Sequence, residues 1–177
     1  VLVVGISTGV TVMVSQYFGA NQKENLSYTI GTSITITAIA SVILIVVLLP
    51  LIDPILKMLN TPETIIDDCS IYLKVYLITI MGMSYYNILG GILRGLGDSF
   101  SSLLYLIIAT ILNIALDILF VAKFKMGVMG VSLATGIAQA VSAVLSFLKL
   151  RKMTEHFELT SKHYKINKKI LKQIIKL

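Results

Sequence analysis

Charge is scarce in this chain. Asp, Glu, Lys and Arg make up 14% of its 177 residues, against about 25% in an ordinary soluble domain. Cys69 is the only cysteine, so an intrachain disulfide is excluded. Tryptophan is absent, which leaves tyrosine to supply any aromatic belt at a membrane interface. The three prolines all fall between residues 50 and 62, and none interrupts a long apolar run.

What the chain has in abundance is apolar sequence: hydrophobic residues make up 56% of it, and its mean hydropathy is +0.88. Five runs, at 1–18, 28–49, 70–93, 100–122 and 127–148, are long enough to cross a bilayer, which takes about 20 residues. A chain of this size cannot cover five such helices with polar surface, and the runs lack the alternation of a transmembrane barrel. The sequence therefore predicts an all-α polytopic membrane protein, with five spans in residues 1–150 and a basic tail at 151–177.

The distribution of positive charge predicts the orientation. Connections between the runs alternate between two sides, and 11 of the 15 Lys and Arg residues fall on the side that holds the tail. Lys and Arg concentrate on the cytoplasmic side, so we expect a cytoplasmic tail and a location in the cytoplasmic (inner) membrane. The chain starts with Val1 in an already apolar run, without a charged segment before it. We therefore expect sequence upstream of this residue.

Asp117 lies within the fourth apolar run, which is otherwise almost free of charge. A carboxylate at the centre of a bilayer costs roughly 2.5–3.5 kcal/mol on insertion scales unless it is paired. Asn113 precedes it by one helical turn, so both side chains share one helix face. This pattern is typical of an ion or proton site, and the alternative is an Asp held by hydrogen bonds for helix packing.

The turn around residues 123–126 places a third polar residue beside this pair. In an antiparallel helix pair, residues equally distant from the turn lie at similar depth. Thr135 then falls between Asn113 and Asp117, within about 5 Å of each along the axis. A carboxylate, an amide and a hydroxyl suit a hard cation such as Na⁺, or a carboxylate that exchanges a proton. No His or Cys lies nearby, which argues against zinc or copper.

A second functional class is suggested by Gly95-Leu96-Gly97-Asp98, which fits the G-x-G-D pattern of intramembrane aspartyl proteases. Such enzymes need two carboxylates in contact. Asp117 is the next Asp downstream, and that separation is about 28 Å along one helix, so the two cannot share a proton. Asp98 is better explained as the N-cap of the following helix, with Ser99 as a competing cap.

The tail carries an amphipathic pattern. Apolar residues recur at 166, 170, 174 and 177, and lysines occupy the remaining face. Lys-rich helices of this kind lie on anionic membrane surfaces, so we expect a lipid surface rather than nucleic acid as the partner. His156 and His163 are predicted to be exposed tail residues without a ligand role.

Several motifs occur together in a known order. They are N-x3-D at Asn113 and Asp117, G-V-x-G-V-x-L-A-T at 127–135 followed by Gln139, GGILRGLGDS at 90–99, and QYFGA at 16–20. Together they resemble the multidrug and toxic compound extrusion (MATE) family over essentially the whole chain. On this resemblance the five spans are helices two to six of a twelve-helix transporter. The first helix and the C-terminal lobe lie outside the chain, and the tail is the connector between the lobes.

The resemblance also implies site residues. Asn113, Asp117 and Thr135 match the cation site of the family's N-terminal lobe, to which the backbone carbonyl of Val131 also contributes. An Asp of the first helix normally completes that site and is not in this chain. Two further polar residues correspond to cavity-lining positions of the family, Asn87 and Tyr72. For Tyr72 the alternative is an interfacial aromatic.

The function implied is that of an antiporter, not an enzyme. It would export drugs or other small-molecule xenobiotics in exchange for Na⁺ or H⁺, with no cofactor besides the coupling ion. Two alternatives stay open: a lipid-linked oligosaccharide flippase of the same superfamily, and a truncated membrane protein without transport activity.

Overall fold

The structure, a computed structural model, describes residues 2–153, 155 and 157–176. These residues form helices joined by short turns. The elements are α1 (Leu2–Gly19), α2 (Lys23–Leu48), a 3₁₀ turn (Leu49–Leu51), α3 (Ile52–Met58), α4 (Glu63–Gly95), α5 (Ser99–Asp117), a π-helical segment (Ile118–Lys123), α6 (Gly127–Lys152) and α7 (Lys168–Lys176). The predicted all-α membrane fold is confirmed.

Four helical segments among the described residues are long and apolar enough to cross a bilayer: Lys23–Met58, Glu63–Gly95, Ser99–Lys123 and Gly127–Lys152. They correspond to four of the five predicted spans. The remaining predicted span, 1–18, forms the 18-residue α1. The four segments are longer than the predicted runs because each helix continues past its apolar stretch into polar flanking residues.

Most of the stretch between the second and third apolar runs, residues 50–69, is helical although it holds all three prolines. Pro50 lies at the start of the 3₁₀ turn, Pro54 lies in the first turn of α3, and Pro62 is the N-cap of α4. At a helix start the missing N–H of proline removes no intrahelical hydrogen bond, and its fixed φ suits the first turn. These prolines therefore begin helices rather than exclude them.

α4 is the central helix and packs against α1, α2, α5 and α6. Two glycines let α1 approach it closely. A Cβ at Gly91 would lie 2.6 Å from the Thr11 hydroxyl, and one at Gly95 would lie 2.8 Å from a methyl of Val14. Small residues where two membrane helices cross let the two backbones approach closely, and this close packing favours helix association in a membrane.

Large apolar side chains are exposed on the outer helices. On α2, Val46 is 65% exposed and Ile43 is 55% exposed, and on α5 Ile111 is 63% exposed. In water a continuous surface of this kind would drive association or aggregation. Against lipid tails it is the expected outer surface of a membrane helix, because every backbone polar group is already bonded within the helix.

The start of α5 is fixed by Asp98. Its carboxylate accepts a hydrogen bond from the backbone N–H of Ser101 at 3.0 Å and pairs with Lys149 of α6 at 3.3 Å. Burial acts to raise the pKa of Asp98, but the Ser101 and Lys149 contacts outweigh it and hold the pKa below its ordinary value. The predicted capping role of Asp98 is confirmed, and Ser99 is the first residue of the helix.

The tail folds back onto the helix bundle. Hydrogen bonds join it to α2, among them those from Glu158 N–H to Ser27 Oγ at 3.1 Å, from Thr35 Oγ1–H to the Tyr164 carbonyl at 2.8 Å, and from Asn167 N–H to Thr32 Oγ1 at 3.4 Å. Gly31 lies between these contacts, and its missing side chain leaves room for the backbone of His163.

The amphipathic helix of the tail is α7, and its apolar face is buried. Ile170 is 3% exposed and Ile174 is 5% exposed, in contact with the core. The Tyr17 hydroxyl of α1 donates to Gln173 Oε1 at 3.0 Å. The expectation that this face lies on a lipid surface is therefore wrong. The ends of α1 and α2 offer apolar surface directly beside it, so the face packs on protein.

His163 is only 3% exposed, which contradicts the prediction of an exposed tail residue. Its ring packs edge-on against Tyr28 of α2, with the centroids 4.8 Å apart, and its Nδ1 accepts from the Thr160 N–H at 3.2 Å. The sequence could not reveal this because the residues that bury His163 are distant along the chain. His156 lies outside the described residues.

Gly31→Ala should loosen the tail. The added Cβ would overlap the His163 carbonyl, so the tail has to move away from α2, at a cost of about 1–3 kcal/mol for overpacking. We expect faster hydrogen–deuterium exchange of the amides in residues 157–167 of the full-length protein. Gly19→Ala is the matched control, because a Cβ there meets nothing within 4 Å. Equal exchange in the two variants would contradict the docked tail.

Acidification should release the tail. Burial, and then the charge of Lys162, hold the pKa of His163 below its ordinary value, although Glu24 and Glu158 act in the opposite direction. Folding therefore favours the neutral ring, and docking is fully stabilised above about pH 6.5 and weakens as the pH falls below it.

The test is an electron paramagnetic resonance distance between spin labels at positions 25 and 165, with Cys69 replaced by Ser. The distance distribution should broaden from about pH 7.5 to about pH 5. His163→Asn retains a hydrogen-bond acceptor but does not titrate, so its distribution should stay constant. A pH response that persists in His163→Asn would assign the effect to another group.

Candidate functional site

The predicted polar pair across the α5–α6 hairpin meets in the structure. The Asn113 side-chain amide donates to Thr135 Oγ1 at 3.3 Å. A tight turn brings the two helices together, with Lys125 and Gly127 both in the left-handed region, at φ 55° and 57°. That turn sets the register of the antiparallel pair, so two residues 22 positions apart become neighbours.

Asp117 lies one turn from Asn113, at the last residue of α5. Its Oδ1 is buried and has no hydrogen-bond partner among the residues that the structure describes. A buried carboxylate oxygen without a partner is costly, and a proton or a cation removes that cost. The π-helical segment Ile118–Lys123 starts at the next residue, and such wide turns occur frequently at functional sites.

A cavity of about 100 Å³ opens beside the Asn113–Thr135 pair, between α4, α5 and α6. Its polar lining consists of Tyr86, Thr110, Asn113, Thr135 and Gln139. The volume is sufficient for more than one water molecule. It therefore allows a small cation to reach these oxygens with part of its hydration shell.

Two side-chain oxygens on α6 are buried without a hydrogen-bond partner within the described part of the chain, as Asp117 Oδ1 is on α5. They are Gln139 Oε1 and Ser132 Oγ. Gln139 follows Thr135 by one turn, so the i, i+4 spacing places it on the same helix face. That spacing was the available signal for Gln139 as a cavity residue. Tyr86 also lines the cavity and offered no comparable signal in the sequence.

Asn87 and Tyr72, which the sequence predicted to line a cavity, do not line this one. The Asn87 amide donates to the Met83 carbonyl at 2.8 Å within α4, and the backbone carbonyl of Asn87 accepts from the Ser7 hydroxyl of α1 at 2.8 Å. Tyr72 stacks on Tyr76, with the centroids 6.1 Å apart. It is 14 residues from Tyr86, about 21 Å along the helix. Polar residues at different positions along α4 therefore have different neighbours: Asn87 contacts α1, Tyr72 stacks on Tyr76, and Tyr86 lines the cavity.

The donor chemistry at the site fits a hard cation. Asp117, Asn113 and Thr135 offer a carboxylate, an amide and a hydroxyl oxygen, the ligand types that Na⁺ accepts and that zinc or copper does not prefer. Val131, whose carbonyl is a further expected ligand, precedes Thr135 by one turn in α6. Within the described residues, no three His, Cys, Asp or Glu side chains form a metal-binding group.

Comparisons with known proteins show what the chain as a whole is similar to. A sequence model of the MatE family matches residues 1–119. The chain is 30% identical over 181 residues to the probable multidrug resistance protein YoeA of Bacillus subtilis, covering 98% of this chain and 39% of that protein. It is 26% identical to the multidrug export protein MepA of Staphylococcus aureus, covering 96% of this chain and 38% of that protein.

Among solved structures, an inward-facing multidrug resistance MATE family transporter of the MOP superfamily superimposes with a TM-score of 0.90 at 25% identity. The match covers 99% of this chain and 40% of that one. The chain thus spans about two fifths of the length of the proteins that it matches.

Asp117→Ala and Asp98→Ala should differ in their effects on the stability of the full-length protein. The first removes a carboxylate whose buried oxygen has no partner, so we expect an unchanged or higher melting temperature. The second removes a helix cap and an ion pair, and we expect a loss of about 1 kcal/mol. Thermal unfolding in detergent compares them. A larger loss for Asp117→Ala would indicate a structural rather than a functional carboxylate.

Proposed function

The chain belongs to the MatE (multidrug and toxic compound extrusion) family of membrane transporters, and on that premise we propose that it forms part of a cation-coupled antiporter that exports small-molecule xenobiotics. These residues would supply most of one lobe. The coupling ion, Na⁺ or H⁺, would bind at Asp117, Asn113 and Thr135.

The observation that supports this proposal is the buried, unpartnered Oδ1 of Asp117. Two acids at the ends of helices are paired by contrast: Asp53 with Lys74 at 2.8 Å, and Asp98 with Lys149 at 3.3 Å. The intramembrane acid has no such neighbour in the described residues. An ionisable group of this kind within a membrane span is characteristic of an ion or proton pathway.

Coupling would follow from neutralisation of this carboxylate. Binding of a proton or Na⁺ removes the cost of the buried negative charge, and the oxygens of Asn113 and Thr135 would replace part of the ion's hydration shell. The ion can shift the equilibrium between inward- and outward-facing states only if it binds one state more tightly. If the surroundings of the Asp117 carboxylate change between the inward- and outward-facing states, the affinity for the ion differs between them.

We place the protein in the cytoplasmic membrane with its tail on the cytoplasmic side. The support is the excess of Lys and Arg in the tail and in the connections on the same side. Drug entry from the cytoplasm and ion entry from outside would then use opposite sides of the same lobe.

Asp117→Asn is the direct test of coupling. Asn retains the size and polarity of the side chain but cannot take up a proton or balance a cation charge. We expect efflux of a cationic dye from cells that carry the full-length variant to fall to background, with insertion and expression unchanged. Asp53→Asn is the control, because Asp53 pairs with Lys74 away from the cavity.

Varying Na⁺ at fixed pH and then pH at fixed Na⁺ identifies the coupling ion in the unsubstituted protein. Undiminished efflux by Asp117→Asn would remove the central proposal. It would favour an activity that needs no coupling ion at this site, such as lipid flipping.

A further inference from the structure

A second, larger cavity lies between α2, α4 and α6. It is an open groove of about 500 Å³, and its lining includes Ile34, Met81, Tyr85, Val144 and Phe147. The Tyr85 hydroxyl, the one polar side-chain group in this lining, donates to the Ile34 carbonyl at 3.3 Å. A groove so apolar offers nothing to a cation or to a polar solute, but it fits a hydrocarbon chain.

The groove and the polar cavity use different faces of the same two helices. On α4, Tyr86 lines the polar cavity and the preceding Tyr85 lines the groove. On α6, Gln139 lines the cavity and Ala140 lines the groove. Successive residues of a helix point about 100° apart. The groove is therefore separate from the proposed ion site, and a ligand in it does not depend on the proposed transport function.

The groove and the turn of α6 beyond it together match the thickness of one membrane leaflet: the lining on α6 ends at Phe147, and Arg151 lies one turn further on. Its α6 wall starts at Ala140, and Arg151 lies 11 residues further on, about 16 Å along the axis. The hydrocarbon core of a bilayer is about 30 Å thick, so each leaflet contributes about half of that. A lipid chain lying along α6 would reach from the middle of the bilayer to its surface.

Arg151 lies one turn beyond Phe147, the last groove residue of α6. Groove residues on α6 follow the spacing Ala140, Val144 and Phe147, and Arg151 continues it at i+4 from Phe147. Its side chain is exposed and forms no ion pair with any described residue, whereas the nearby Lys149 is paired with Asp98. A guanidinium binds phosphate through two parallel hydrogen bonds, and it is the preferred partner where such geometry matters.

An apolar groove, with a cation that has no ion pair among the described residues one helical turn beyond it, matches an amphipathic ligand with a negative head. We propose that this groove binds one acyl chain of an anionic glycerophospholipid, whose headgroup phosphate contacts Arg151. A zwitterionic lipid offers the same chain without the net negative charge that a basic residue at the surface attracts. The site is therefore expected to select phosphatidylglycerol over phosphatidylcholine.

The test uses full-length protein in nanodiscs with lipids that carry a photoreactive diazirine near the end of one acyl chain. After irradiation, mass spectrometry of the peptides locates the label. With phosphatidylglycerol we expect label concentrated in residues 81–89 and 140–147. Label spread evenly over the exposed faces of α2 and α5, or equal labelling by phosphatidylcholine, would overturn the proposal.

Two pairs of variants separate the head and the chain. Arg151→Gln should lower the preference for phosphatidylglycerol about fivefold, the factor expected for one basic residue at an anionic surface. Lys152→Gln, which changes the next residue on another face, should preserve the preference. Equal effects of Arg151→Gln and Lys152→Gln would overturn the assignment of Arg151.

Ala140→Phe fills the groove and should reduce labelling by both lipids, whereas Val141→Phe adds a similar side chain at an exposed position outside the lining. Labelling of Ala140→Phe at the level of Val141→Phe would overturn the groove as the binding site. Dye efflux by these variants is recorded in parallel. Because the groove and the polar cavity share no lining residue, efflux should stay intact in these variants even where lipid selectivity is lost, and the two proposals can fail independently.

Discussion

The carboxylate of Asp117 is the constraint on which this account depends. Placing it at membrane depth costs roughly 2.5–3.5 kcal/mol unless it is neutralised, and no described residue bonds its buried oxygen. Three acids at helix ends are paired by contrast: Asp53 with Lys74, Asp98 with Lys149 and Glu24 with Lys162. An unpaired carboxylate oxygen within a membrane span therefore offers a binding position for a positive charge.

The helix that carries this carboxylate is joined to the bundle near its start and along the face that meets α6. Near its start, α5 is fixed by the Asp98 cap and by the hydrogen bond from Arg94 to the Ser102 hydroxyl at 3.1 Å. Further along, only 6% of its most apolar stretch is buried within the described structure. The low burial fits an outer face that lies against lipid. The proposed ion site thus lies on the side of α5 that meets α6, where Asn113 bonds Thr135.

Much of this arrangement could be predicted from the sequence, because bilayer-length apolar runs dictate helices whatever their tertiary contacts. The meeting of Asn113 with Thr135 followed from counting residues on each side of one turn. The docking of the tail could not be predicted in this way. Ser27, Thr32 and Thr35 appear in the sequence as minor polar breaks in or beside an apolar run, yet they bond a segment more than 120 residues away. Propensity and periodicity are local and carry no information about such contacts.

The central claim is that Asp117 exchanges a positive charge, and infrared difference spectroscopy of the full-length protein observes that charge state directly. Spectra recorded with and without Na⁺, and at two pH values, should contain a carboxyl band that changes between its protonated and ionised positions. The same band should be absent from the Asp117→Asn difference spectrum. A band that persists in that variant, or a carboxyl signal that responds to neither Na⁺ nor pH, would contradict the account.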